Sequence, residues 1–382
     1  MGDFSIKISP NILIGTQTTS RLGSLAAPFG NRFLLIIDPA TDEVSAKQKI
    51  GESLKGMNLD YILYDDLPDH PDTTTLESIL KIARGGRIQG VIACGGEKAM
   101  NIGRGVASLF NEDDRSVYDF ADGDYSTKPA LPFFGIPTSI RDTFAFYERC
   151  GIIDGRSNQF RLIKVQKDIT KALIFDVAFC SSLTKNQIAS LSLNVLTLAL
   201  ESYFSSRSNF FSDAVAEKIF ELLAPSASLT DPLASQAAVD NDLLQCGCLA
   251  SLAAQLSAPG PITALSFAAY SRYKLPRPII SAILLPYLIE DTVFAPERIK
   301  KAAKLLGAAD ENCTPETAAS LLAEDIRGRI ARAQLPARLK ELSVSIEQLA
   351  VAVNDASQLD FVPFYAKPVS ADVLFNLVKQ AY

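Results

Sequence analysis

The stretch GVIACGGEKAMNIGRGVASLF, residues 90–110, decides how the first half of this chain folds. It opens with a short apolar run, turns at Gly95 and Gly96, and continues as a helical segment. The same rhythm repeats on both sides. FLLIID (33–38), YILYDDL (61–67) and FFGIPT (133–138) are strand-like runs, and TTTLESILKIARGG (73–86) carries apolar residues at helical spacing. Short β-branched runs alternating with helices predict an open, mostly parallel, doubly wound sheet with helices on both faces.

From about residue 180 the signal changes to long helical runs with few strand candidates. NFFSDAVAEKIFELLAPS, QAAVDNDLLQCGCLASLAAQL and TPETAASLLAEDIRGRIARAQL are examples. We read an α/β domain over 1–178 followed by an all-helical domain over 179–382. A ligand is expected in the cleft onto which the strand carboxyl ends open.

Composition narrows the function. With 382 residues, 48% of them apolar, the chain can bury two moderate cores, and its net charge of −6 gives no phosphate-tracking surface, which excludes nucleic acid as a partner. MGDFSIKISP lacks a basic segment followed by an apolar one, and Ile6 stands where a myristoylation signal needs Ser or Thr, so a cytoplasmic location is expected. The most apolar stretch, PIISAILLPYLIEDTVF, contains Pro286 and two acids and reads as a buried helix, with no membrane span. The acidic NEDDRSVYDFADGDYSTKP reads as a solvated loop.

Six scattered cysteines are too sparse for a disulfide scaffold, and Cys246 and Cys248, two apart on a helix, point to opposite sides and read as core thiols. The single histidine, His70, excludes a histidine-rich metal site.

Two places invite chemistry. Gly95 and Gly96 lie between a strand and a helix, where a pyrophosphate can approach backbone N–H groups and the helix dipole, although a plain turn explains two glycines equally well. In LSLNVLTLALESY (191–203), Asn194 and Leu198 are four apart and share one helix face. An aspartate and a histidine there would grip a metal; an amide and a leucine occupy the places.

The order of segments resembles the iron-containing (group III) alcohol dehydrogenases across nearly the whole chain. The matching stretches are LLIIDPAT, VIACGGEKAMNIGRG, FFGIPTS, ALIFDVAFCSSLT, the run from LSLNVLTLALESYF to KIFELL, LPRPIISAILLPYL and the closing FYAKPVSADVLFNLVKQAY. The resemblance implies an N-terminal dinucleotide domain, a helical domain supplying one aspartate and three histidines to iron or zinc, hydride exchange with NAD(P)(H), and a homo-oligomer such as a dimer. The four implied ligands fall on Asn194, Leu198, Thr263 and Arg277, so no metal is expected. The implied Gly-Gly-Gly-Ser run with its Asp and Lys appears as GGEKAMNIGR, with Glu97, Lys98, Asn101 and Arg104 at the changed places. The implied glycine-rich Thr-Thr stretch appears as TSIRDTFAFY, which keeps Thr138 and Ser139 but puts Arg141 and Phe144 into space that glycine leaves open. Asp38 matches the acid that favours NAD over its phosphorylated form; a turn-forming aspartate before Pro39 is the other reading.

Three functional readings follow. In the first the chain is a metal-independent, NAD(H)-linked oxidoreductase of a carbonyl or alcohol bearing an anionic group. Arg277 replaces the cation, Thr263 or Tyr273 handles the proton, and Asp38, Gly95, Gly96, Lys98, Thr138 and Ser139 hold the cofactor. In the second it is a non-catalytic binding or scaffolding subunit with a protein partner. In the third it is a non-redox lyase or cyclase using the same cleft.

Overall fold

The runs that alternate in the sequence alternate in space. A computed structural model describes residues 7–41, 43–224, 241–310 and 312–382. The chain divides after Ser182 into two units. In the first, β1 (Asn11–Gly15), β2 (Arg32–Ile37), β3 (Asp60–Tyr64), β4 (Gly90–Gly95), β5 (Phe133–Pro137) and β8 (Thr170–Asp176) form one sheet in the order β1-β8-β5-β4-β2-β3. Every pairing in it is parallel. A separate antiparallel ribbon joins β6 (Arg149–Ile153) to β7 (Phe160–Lys164).

Period-two alternation sends neighbouring side chains of β2 to opposite faces, and both faces are covered. Phe33, Leu35 and Ile37 pack with α1 (Leu22–Ala26) and α2 (Glu43–Lys55). Leu34 and Ile36 pack with α3 (Thr73–Gly85) and α4 (Glu97–Leu109). The sheet is therefore doubly wound, as expected. From β2 the chain steps outward to β3 and returns on the other side of β2 as β4. The order reverses at this point, so the crevice lies at the carboxyl ends of β2 and β4, where Asp38, Gly95 and Gly96 sit.

Two expectations need correction. The acidic stretch is not merely a solvated loop. It contains α5 (Val117–Ala121), started by a Ser116–Asp119 capping box, and a buried Glu112. The Glu112 carboxylate accepts from the Thr127 and Lys128 N–H groups and the Ser126 hydroxyl, which sews the loop down. Four strands, β1, β6, β7 and β8, also escaped the pattern reading, because β1 and β7 are short and partly exposed and β8 runs straight into a 3-10 turn at Val177–Cys180.

The second unit is built from α6 (Lys185–Tyr203), α7 (Phe210–Leu223), α8 (Asn241–Leu256), α9 (Pro261–Tyr273), α10 (Arg277–Glu290), α11 (Pro296–Leu305), α12 (Pro315–Arg332), α13 (Ile346–Ser357) and α14 (Ala371–Ala381). Thr184 and Gln187 form a capping box that starts α6. Pro286 lies inside α10, whose apolar run is buried. Among the described residues no single helix is long and apolar enough to cross a membrane. Cys246 and Cys248 are buried, and desolvation pushes the Cys248 thiol up to about 12. Residues 1–6 and 236–240, on which parts of the sequence reading rest, lie outside the described residues.

Candidate functional site

In the first unit the switch point is lined by the chain's own charged side chains. Gly95 has φ +152°, and a Cβ there would come within 2.3 Å of the Asp38 Cβ, so only glycine fits. Gly96, the N-cap of α4, has no side chain with which to cap the helix. Its N–H donates instead to Asp38 Oδ2 at 3.3 Å. Lys98 lies 3.2 Å from Asp38 Oδ1 and 3.3 Å from Asp69. Asp38 is thus buried, paired and turned into the helix N-terminus, where a negative charge is favoured.

Glu97 ties the start of α4 to the loop after β5. Its Oε1 accepts the Thr143 N–H at 3.0 Å, and Arg141 lies 3.6 Å from its Oε2. Arg141 and Phe144 are buried, filling the places where the resemblance implies glycine. Asn101 and Arg104, at the implied Asp and Lys positions, have become structural. Arg104 makes a fully buried two-pronged pair with Asp142, its Nη2 lying 2.8 Å from Oδ1 and 3.1 Å from Asn101 Oδ1. Asn101 Oδ1 also accepts the Gly151 N–H at 3.0 Å, tying α4 to the β6–β7 ribbon. The loop so held contains Ile140 at φ +68°, a buried β-branched residue in the left-handed region, which costs on the order of 1–3 kcal/mol. Thr138 Oγ1 meets Thr41 Oγ1 at 3.3 Å, and Ser139 donates to the Arg141 carbonyl at 3.1 Å.

In the second unit the four positions implied as metal ligands carry a polar core. Asn194 Nδ2 donates to Ser281 Oγ at 2.8 Å, and Leu198 is buried. Thr263 Oγ1 donates to Glu201 Oε2 at 2.5 Å. Arg277 Nε donates to Ser266 Oγ at 3.4 Å, and its guanidinium lies over the Phe267 ring, 3.3 Å from the centroid. None of these four side chains offers the thiolate, imidazole or carboxylate that iron or zinc requires, and the arginine repels a cation, so the residues present do not fit the metal. Among the described residues no group of three or more His, Cys, Asp or Glu is placed to hold one.

Glu201 is the functional candidate that sequence reading passed over. It is fully buried near the end of α6 and serves as the missing cap of α9, whose N-cap Gly260 has no side chain of its own. Glu201 Oε1 accepts from the N–H of Ile262 at 2.6 Å and of Thr263 at 3.1 Å. A Cβ on Gly260 would lie 2.8 Å from the Glu201 carboxyl carbon, so the close approach demands glycine. Desolvation pushes the carboxyl up to about 7, against the opposing pull of the Thr263 hydroxyl and the α9 N–H groups. The signal was present: a lone carboxylate inside the apolar run 193–203 must be buried and must find donors.

The structure brings Thr263 and Arg277 together through Ser266, whose Oγ donates to the Thr263 carbonyl at 2.8 Å. Tyr273 stands at the opposite end of α9 from Thr263, about 15 Å along the helix axis at 1.5 Å per residue. Asp38, Gly95, Gly96 and Lys98 do converge, with Thr138 and Ser139 on the neighbouring loop.

Comparison with known proteins identifies the family and agrees with the fold. Residues 9–175 match the model of the iron-containing alcohol dehydrogenase family, and residues 188–382 match that of the Fe-containing alcohol dehydrogenase family, C-terminal. Alcohol dehydrogenase 4 of Saccharomyces cerevisiae is 25% identical over 358 residues, covering 91% of this chain and 90% of that protein. The 1,3-propanediol dehydrogenase of Citrobacter freundii is 22% identical over 319 residues, covering 82% of each. Among solved structures, a 1,3-propanediol oxidoreductase superposes with a TM-score of 0.92 at 18% identity over 100% of both chains. Sulfoacetaldehyde reductase from Bifidobacterium kashiwanohense, in complex with NAD+, gives 0.81 at 18% identity over 100% of this chain and 99% of that one. The chain belongs to the iron-containing alcohol dehydrogenase family.

Proposed function

We propose that this alcohol dehydrogenase-like protein is an oxidoreductase that works without a transition metal, using NAD(H) on a carbonyl or alcohol substrate that bears an anionic group. The observation that carries the reading is the buried Thr263–Glu201 pair, 2.5 Å between oxygens, linked through Ser266 to the Arg277 guanidinium. A proton carrier beside a fixed cation is what carbonyl reduction needs once the metal is gone. Arg277 polarises the substrate oxygen and accommodates an anionic substituent. Thr263 passes its hydroxyl proton to the forming alkoxide and takes the proton held by Glu201, whose carboxyl, raised by desolvation, keeps its proton to a higher pH than an ordinary glutamate. In the oxidative direction the same atoms carry the proton back. NAD(H), when bound, exchanges the hydride. Gly96, Lys98, Thr138 and Ser139 supply donors for the dinucleotide, and Asp38 supplies an acceptor for a ribose hydroxyl. A Cβ at Gly96 would meet nothing nearer than 3.5 Å, so that backbone remains approachable.

One observation favours a second reading, a non-catalytic binding subunit. Asp38 already holds the Gly96 N–H and Glu97 the Thr143 N–H, so a pyrophosphate has to displace a carboxylate that belongs to the chain. Calorimetric titration with NADH decides between the two. Saturable binding with one site per chain supports the oxidoreductase; no binding leaves the subunit reading. Elemental analysis of the same sample is expected to give no stoichiometric iron or zinc, and one chelator-resistant ion per chain would overturn metal independence.

A further inference from the structure

The helical unit contains a second polar feature that the proposed reaction does not use. A cavity of about 480 Å³ lies among the start of α9, the C-terminal turn of α10, residues 365–369 and α14. Its apolar wall includes Pro261, Tyr287, Leu374 and Leu377, and Asp291 and Lys367 contribute charge. Tyr365, which is 4% exposed, forms part of its wall. Its hydroxyl is buried and makes no hydrogen bond. The ring is fixed by an edge-on contact with Phe294, 5.8 Å between centroids.

A buried hydroxyl without a partner is rare and costly, which marks it as a group waiting for one. Burial, together with the nearby Glu201 and Asp291 carboxylates, holds the phenol well above its ordinary pKa, so it remains an O–H donor. Those carboxylates are engaged elsewhere. Asp291 is bound to Lys367 at 2.5 and 2.6 Å, and Glu201 to Thr263 and the α9 N–H groups. The missing partner is therefore an acceptor from outside the chain. The space greatly exceeds that of a single water and falls in the range of small-molecule sites. Asp291 is paired with Lys367 and Glu290 with Arg327, so the charges of the wall are already neutralised and an uncharged ligand is favoured.

We propose that this cavity is a binding site for a small uncharged molecule that presents a carbonyl or hydroxyl oxygen to Tyr365 and a hydrocarbon body to Leu374 and Leu377. The site is separate from the Arg277 centre and does not depend on the protein being a dehydrogenase. Pro261 lines it, and the next two residues hold Glu201, so occupancy is felt at the start of α9.

The test uses cyclohexanone as probe, with cyclohexanecarboxylate and cyclohexylammonium as charged controls, followed through the methyl resonances of the full-length protein. Cyclohexanone is expected to shift the methyls of Val373, Leu374 and Leu377 saturably, while both ions fail to. Tyr365→Phe, which deletes only the unpaired hydroxyl, should weaken cyclohexanone roughly tenfold without lowering the melting temperature. Leu377→Trp should abolish binding by filling the space, and Val373→Trp at the more exposed rim serves if the former does not fold. The proposal is overturned if cyclohexanone gives no saturable shift, if its affinity survives Tyr365→Phe, or if a charged analogue binds better. A melting temperature several degrees lower for Tyr365→Phe would also overturn it, because the hydroxyl would then be satisfied by internal water.

Discussion

Glu201→Gln removes one ionisable group from the start of α9 while leaving an oxygen to accept the Ile262 and Thr263 N–H groups. In the folded protein the Glu201 carboxyl rises from its ordinary 4.5 to about 7, chiefly through desolvation. For an acid whose folded pKa is raised, the native state binds more protons than the unfolded state between the two values. Its stabilising effect is complete below about pH 4.5 and is lost as pH rises through 7. The shift corresponds to about 3 kcal/mol. For a helical unit of about 200 residues this amounts to roughly 6–12 °C in melting temperature. The chain has no tryptophan, so the melts are followed by circular dichroism, with the tyrosine signal as a tertiary probe. Wild type should lose stability between pH 5 and pH 8, and Glu201→Gln should lose about 3 kcal/mol less. The two proteins diverge most at pH 8, where the variant is the more stable. The same slope in both, or a wild-type protein that gains relative to the variant as pH rises, would refute the reasoning. The Thr263 hydroxyl and the α9 N–H groups would then outweigh desolvation and hold the carboxylate ionised.

Other substitutions test the remaining contacts. Asp142→Ala strands the Arg104 guanidinium in a fully buried site and should cost about 3–5 kcal/mol in denaturant unfolding of the first unit, whereas an exposed pair would cost under about 1. Glu97→Gln keeps an acceptor for the Thr143 N–H but removes a negative charge beside the switch point. Calorimetry should show NADH affinity improved by up to about 1 kcal/mol, and weaker binding would show that the carboxylate matters only for holding the loop. Arg277→Leu should reduce turnover of an identified substrate by about 2–4 kcal/mol in kcat/KM, with Arg277→Lys recovering only part. Wild-type rates from Arg277→Leu would leave that arginine as a packing partner of Phe267.

Local pattern settled the class of each half of the chain. Short continuous apolar runs such as FLLIID fit strands buried on both faces, and the long helical runs after residue 180 had to pack on one another to hide their apolar surface. The identity of four side chains, Asn194, Leu198, Thr263 and Arg277, at the places the resemblance implies for the metal, is what carries the expectation of a metal-free site, since donor chemistry belongs to the residue and not to its surroundings. Partnership did not follow from pattern. That Asp38 turns into the Gly96 N–H, that Glu97 holds a loop, and that Arg104 pairs with Asp142 depends on residues 38 to 58 positions apart being brought within hydrogen-bond reach. Thr263 and Tyr273 both offer a hydroxyl, and only the formed helix puts them at opposite ends of α9. The burial of Glu201 was legible in its apolar run, but its partner, the bare start of α9, was not. Burial and hydrogen bonding act over a few ångströms in space, and only the tertiary structure sets those distances.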